Sequence, residues 1–301
     1  MNTQSNAVPE SFEPQAFAPA AMSATRPMYW SVRRELWEYR SIYLAPLALA
    51  SLALVGFLIA TLGRAMSTNL AQGLTVLEQP YTFAASLIMG AAFIVGLFYC
   101  LDALHGERRE RSILFWKSLP VSDLITVLSK ASIAFVVLPL LAFAITVATH
   151  FLMLLLSTAE LLRSGLSIAT LWAQVWAFDL QLLYHLVTVH VLWYAPLYAW
   201  MLLVSGWARR APFLWAGLPL LAIGVVEKIA FNTTHFAALM SYRFSGPEHF
   251  DMTEPDRLVM QPMMHLSLGK FLSTPGLWTG LFVAALFLAA AVRLRRHQGP
   301  I

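Results

Sequence analysis

Residues 42–62 read IYLAPLALASLALVGFLIATL, an unbroken run without one charged side chain. At 1.5 Å per residue, a helix of this length covers a hydrocarbon core roughly 30 Å thick. A helix on the surface of a soluble domain carries a polar face, and this run has none. Five more stretches qualify in the same way: 81–104, 132–156, 180–204, 213–231 and 276–292. The fourth is interrupted by His185 and His190, and the fifth by Glu227 and Lys228. The expected fold is an all-α membrane protein, a bundle of six transmembrane helices.

Composition leads to the same place. Of 301 residues, 58% are hydrophobic and 12% charged, where soluble domains carry roughly 25% charged residues. Too few polar side chains remain to cover a water-facing exterior, so the exterior must face lipid. The net charge of +4 does not point to nucleic acid, because the basic residues collect at span ends instead of forming one stripe. The single cysteine, Cys100, excludes an internal disulfide.

Those basic residues also orient the chain. Arg26, Arg33, Arg34 and Arg40 precede span one, while Arg108, Arg109, Arg111, Lys117 and Lys130 lie around the connection from span two to span three. Arg209 and Arg210 separate spans four and five, and Arg293, Arg295 and Arg296 end span six. Together they make fourteen of the twenty Lys and Arg residues, and cytoplasmic connections are the ones enriched in these. Both termini are therefore expected in the cytoplasm.

Outside the spans, residues 1–27 contain Pro9, Pro14, Pro19 and Pro27 but no apolar block, and read as a flexible cytoplasmic tail. Residues 28–41, MYWSVRRELWEYRS, mix aromatics with charges at helical spacing and predict an interfacial helix at the inner membrane surface. Residues 28–297 form the six-helix domain, and 298–301 a short C-terminal tail. An outer connection is expected over 157–179, with Leu171, Trp172, Val175 and Trp176 making a short amphipathic helix. A second outer loop, 232–275, carries Pro247, Pro255 and Pro262 and the acidic Glu248, Asp251, Glu254 and Asp256. Its apolar Phe236, Leu239, Met260 and Leu266 predict that it folds back onto the membrane.

The connection after span two is the richest segment. It reads HGERRERSILFWKSLPVSDL from His105, and runs on to Lys130. Alternating charges (Glu107, Arg108, Arg109, Glu110, Arg111) give way to Ile113, Leu114, Phe115 and Trp116. Pro120 disfavours helix at Leu119, after which Ser122 can cap the next helix with Asp123 favourably placed for its dipole. The pattern predicts a short amphipathic helix with an aromatic tip, rigid enough to transmit force.

The run from Glu107 through Arg111-Ser112-Ile113 to Leu119-Pro120-Val121-Ser122, with the later Lys130, resembles the inner connection of ABC-2 type transporter permeases. Six spans, an N-terminal interfacial helix and a long outer loop before the last span match that family as well, over 28–297. The resemblance implies the permease subunit of an ABC transporter, an exporter, in a bacterial inner membrane. It also implies a second permease copy as partner and a cytoplasmic ATPase subunit. That subunit would dock on a coupling helix through Glu107, Arg108, Arg111, Phe115, Trp116 and Leu119. ATP and Mg²⁺ would then sit on the partner: Gly269-Lys270 is followed by Phe271, so this chain lacks the Gly-Lys-Ser/Thr ending of a phosphate-binding loop. No cofactor, metal or catalytic residue is expected in the chain itself.

Other ionisable residues have a plain and a functional reading. His185 and His190, with Tyr194 and Tyr198, make either helix–helix hydrogen bonds or a substrate-lining surface, since polar groups at membrane depth face a bundle interior or a cavity. On an α-helix the two histidines would lie about 140° apart, too far round for joint haem ligation. Glu227 and Lys228 read as snorkelling to the outer interface, and Asp102 as an ion pair with Arg33 or Arg34. His235, His249, Asp251, Met260, Met263, Met264 and His265 contain soft ligands at spacings that fit no tight metal site. With neither His-Glu-x-x-His nor Gly-x-Ser-x-Gly present, the rival reading is a membrane enzyme using span four; an assembly protein is a third.

Overall fold

The computed structural model describes residues 25–66, 74–118, 121–164, 168–245, 268–299 and 301. Every regular element among them is helical. In order these are α1 (Thr25–Glu38), α2 (Ser41–Met66), α3 (Leu74–Ala103), α4 (His105–Arg109), α5 (Ile113–Ser118), α6 (Asp123–Ser132) and α7 (Leu138–Ser164). There follow α8 (Ile168–His185), α9 (Ala195–Trp207), α10 (Pro212–Phe231), α11 (His235–Ser245), α12 (Leu268–Leu272) and α13 (Pro275–His297). Wider π turns join α6 to α7 (Ile133–Val137) and follow α8 (Leu186–Trp193). Six helical stretches are long and apolar enough to cross a membrane: Ser41–Gly63, Gln79–Arg109, Asp123–Thr158, Ile168–Trp193, Pro212–Phe231 and Pro275–His297. The chain is an all-α, six-helix membrane bundle.

The bundle packs around α3 and α9. A core of Ile88, Ala92, Tyr99, Ala134, Leu138, Tyr198 and Leu202 joins α3, α7, α9 and α13. A second cluster at the far end sets Phe57, Tyr81, Met153, Leu171 and Val175 together. By contrast α10 buries little beyond Ala216. Its exposed Leu214, Leu218, Leu221, Val225 and Ile229 form an outward apolar face, normal where the surrounding solvent is hydrocarbon.

Spans three and four depart from the sequence expectation. Instead of a connection over 157–179 with its own short helix, α7 runs to Ser164 and α8 begins at Ile168. Leu171 and Val175 are core residues of span four, packed on spans one to three. The crossing then breaks at Tyr194, where Pro196, lacking an N–H, enters the first turn of α9.

The remaining details are local. The N-terminal helix starts at Thr25 rather than Met28. Asp102 pairs with no arginine; it accepts a hydrogen bond from the Tyr39 hydroxyl at 3.1 Å. Burial, with the Asp102 and Glu35 carboxylates nearby, holds that phenol well above its ordinary pKa, so Tyr39 stays a donor. Glu227 caps α11, accepting from Thr233 Oγ1, His235 N and Phe236 N at 2.7–2.8 Å. In the 232–275 connection, α11 reaches the bundle through Arg243, which lies over Trp193, 4.5 Å from the ring centroid, and donates to the Gly276 carbonyl at 2.9 Å; Leu266 lies outside the described residues. His249, Asp251, Met260, Met263, Met264 and His265 lie outside the described residues.

Candidate functional site

Two places gather the residues singled out by the sequence. The first is the connection between spans two and three. Ser205 Oγ accepts from the backbone N–H groups of Leu104 and His105 at 2.9 and 2.8 Å, satisfying donors that the start of α4 would otherwise leave unpaired. Arg111 then adopts a left-handed conformation (φ 59°), ending α4 and turning the chain into α5. The expected single helix is therefore two short ones. Ser122 caps α6 as predicted, accepting from Ile125 N at 3.2 Å.

This break sorts the expected docking residues into two kinds. Of that set, Phe115 is 60% exposed on α5 and Arg111 is exposed beside it, with Leu114, not among the expected docking residues, 59% exposed next to them. Glu107 and Arg108, expected on the docking face, are instead buried (4% and 6%). Arg108 donates to the carbonyls of Gly206 and Gly299, tying α4 to the end of α9 and to the C-terminal tail. Lys117 holds the same tail through the Gln298 carbonyl at 2.9 Å. Trp116 turns inward under the Arg34 guanidinium, 3.6 Å from its centroid. Leu119 lies outside the described residues.

Beneath the tip is a buried ion network. Lys130 Nζ on α6 lies 2.7 Å from Glu35 on α1 and 3.2 Å from Glu107 on α4. Arg295 on α13 pairs with Glu107 and, at 3.1 Å, with Asp123. Arg34 reaches Glu107 at 3.6 Å, and the Tyr99 hydroxyl donates to Glu35 at 2.9 Å. Glu107 Oε1 has cations at both these distances without hydrogen-bond alignment to either. Four helices from distant parts of the chain thus meet on one carboxylate and one ammonium. The rest of α1 is amphipathic around this anchor: Tyr29, Trp30 and Trp37 stay more than half exposed, with Arg33 stacked between the two tryptophans.

No family model, curated protein or solved structure matches the chain.

The second place is a cavity of about 250 Å³ between spans two and four, lined by Ser86, Phe93, Phe178, His185, His190 and Tyr194 among others. Its walls carry no acidic or basic side chain besides the histidines. Three of the four span-four residues named from sequence line it, and Tyr198 stands behind, 3.0 Å from His190 Nε2. The two histidines share the cavity because the backbone from Leu186 to Trp193 is π-helical. In a π turn hydrogen bonds run from i to i+5, so residues five apart fall near one face, and the α-helical separation expected from sequence does not apply.

The Tyr198 ring is 1% exposed and packs against Phe93 and Phe135. A Cβ on Gly96 would stand 2.9 Å from its Cε1 atom. Gly96→Ala improves helix propensity by about 1 kcal/mol but overpacks a ring with nowhere to retreat, costing about 1–3 kcal/mol. The variant is expected to melt below wild type and to loosen the Tyr198–His190 bond, read as greater exchange of the His190 ring proton by NMR. Unchanged melting would show that the ring has room.

Proposed function

We propose that this chain is the permease subunit of an ABC transporter of the ABC-2 type, an exporter working as a pair of permeases in a cell membrane. ATP is hydrolysed on a separate cytoplasmic subunit that seats on α5. The observation that carries the reading is the junction of an exposed apolar tip with a buried ionic base. Leu114 and Phe115 project from α5, and the adjoining α4, through Glu107, meets α1, α6 and α13. A push on the tip reaches three helices at once, which is the mechanical requirement for driving a bundle between two states. The cavity lined by His185, His190 and Tyr194 is the proposed substrate pathway, and its lining favours a substrate that is largely apolar. Burial with few, placed polar groups is the usual character of such sites.

Two measurements test this. In the first, the full chain is purified in mild detergent from its native membrane. Mg²⁺-dependent ATP hydrolysis should travel with it and be absent from the chain expressed alone; transport by the isolated polypeptide would end the reading. The second uses Ser118→Cys, an exposed position, in a chain whose one native cysteine is buried. A membrane-impermeant maleimide should label it in inverted vesicles and spare it in intact cells. Labelling from outside the cell would place α5 where no ATPase can reach it.

A further inference from the structure

At the end of the bundle away from the ion network, His150 on α7 meets Asp179 on α8, both out of solvent (0% and 5% exposed). Neither residue was singled out by the sequence. His150 Nδ1 lies 2.7 Å from Asp179 Oδ1, and Nε2 lies 3.0 Å from the backbone carbonyl oxygen of Tyr81 on α3. Both neighbours are acceptors. A neutral imidazole has one N–H and one lone pair, so in either tautomer a lone pair would press on an oxygen at hydrogen-bond distance. Flipping the ring would put carbon atoms against those oxygens and strip the carboxylate of its donor.

One protonation level satisfies the geometry: a proton beyond the neutral-imidazole, ionised-carboxylate state. It sits on Nδ1, giving an imidazolium beside a carboxylate, or is shared toward Asp179 with Nε2–H still donating to Tyr81. Either way the pair is neutral overall and the proton belongs to both residues. We infer that His150 and Asp179 form an intramembrane proton-binding site, occupied in this conformation, that joins spans two, three and four.

The surroundings suit that role. His150 packs edge-on against the Tyr81 ring, with centroids 5.5 Å apart, and against Phe178 at 5.9 Å. Phe57 of α2 closes the apolar cluster around Tyr81. The titratable groups facing the ring are Asp179 from α8 and the Tyr81 phenol from α3, whose oxygen is engaged with Ser157 Oγ at 2.9 Å. Phe178 and His185, on either side of Asp179 along α8, line the cavity, which gives the proton a short way out when span four moves. Losing it leaves one ring N–H for two acceptors, so the bond to Asp179 or the bond to Tyr81 is given up, and an ionised carboxylate stands in apolar surroundings, where charge is costly. The inference stands apart from the transporter reading and needs no second subunit.

The test uses the full chain, labelled with ¹⁵N-histidine, in lipid nanodiscs between pH 5 and 9. One ring with both nitrogens protonated, or one neutral ring beside a protonated Asp179 carboxyl read by ¹³C, is expected in the folded chain. It should vanish in His150→Gln and become a neutral-imidazole signal in Asp179→Asn, which keeps volume and one hydrogen bond. Asp179→Asn alone decides the assignment should His150→Gln fail to fold. A neutral His150 ring beside an ionised Asp179 carboxylate, or a ring indifferent to Asp179→Asn, would overturn the inference.

Discussion

Lys130→Met is expected to destabilise the bundle by about 3–5 kcal/mol, the usual cost of removing one partner from a buried ion pair. The Lys130 side chain is 1% exposed, and its ammonium is the ionic partner of Glu35, which is itself 3% exposed. Without Lys130, Glu35 keeps only the Tyr99 hydroxyl, and one neutral donor does not offset a buried carboxylate. Glu107→Gln should cost less. Its removal leaves Arg295 with Asp123 and Lys130 with Glu35, so no cation is stranded. The order, Lys130 above Glu107, is the discriminating result. At about 2–4 °C per kcal/mol for a large domain, Lys130→Met should lower the melting midpoint by about 10 °C. Pairing it with Glu35→Gln should recover part of the loss, with a coupling of about 0.5–3 kcal/mol. Additive losses in the double variant would mean that Lys130 acts through packing alone.

How much of this was legible beforehand depends on the range over which each feature is encoded. The six spans are written in local composition, and so is the α6 cap, because Ser122 and its backbone partner are three residues apart. The ion network is not. Glu107 sits in an alternating-charge run that reads as a solvated face, and its partner Arg295 lies 188 residues away. Span four was placed too late because Asp179 interrupts its apolar run. Once His150 neutralises Asp179, the interruption vanishes, but a single-residue reading sees only the charge. The π turn left no compositional mark, since hydrogen bonds shifted by one residue require no particular side chain. Both clusters of functional candidates therefore had legible members and illegible geometry.

Replacing Leu114 and Phe115 together with alanine should separate coupling from folding. Both side chains are more than half exposed, so truncating them removes little from the core, and the melting midpoint should stay within about 2 °C of wild type, the scale expected for surface changes of about 0.5 kcal/mol. If they are the apolar anchors of an ATPase contact, each is worth about 1.5–3 kcal/mol when covered. Their joint loss should then weaken the association by well over tenfold, since about 1.4 kcal/mol is one decade. Two comparison variants bracket the effect. Trp116→Ala removes a side chain held under Arg34 rather than offered outward, so it should cost stability before it costs association. Arg111→Gly keeps the left-handed turn without strain, so it should preserve the α4–α5 angle and the melting midpoint, and any loss of partner then reports the guanidinium alone. ATPase recovery after mild solubilisation is the readout, with melting measured on the same samples. Full recovery with Leu114→Ala/Phe115→Ala would mean that lipid, not an ATPase, covers the tip of α5, and the lever would have nothing to push on it.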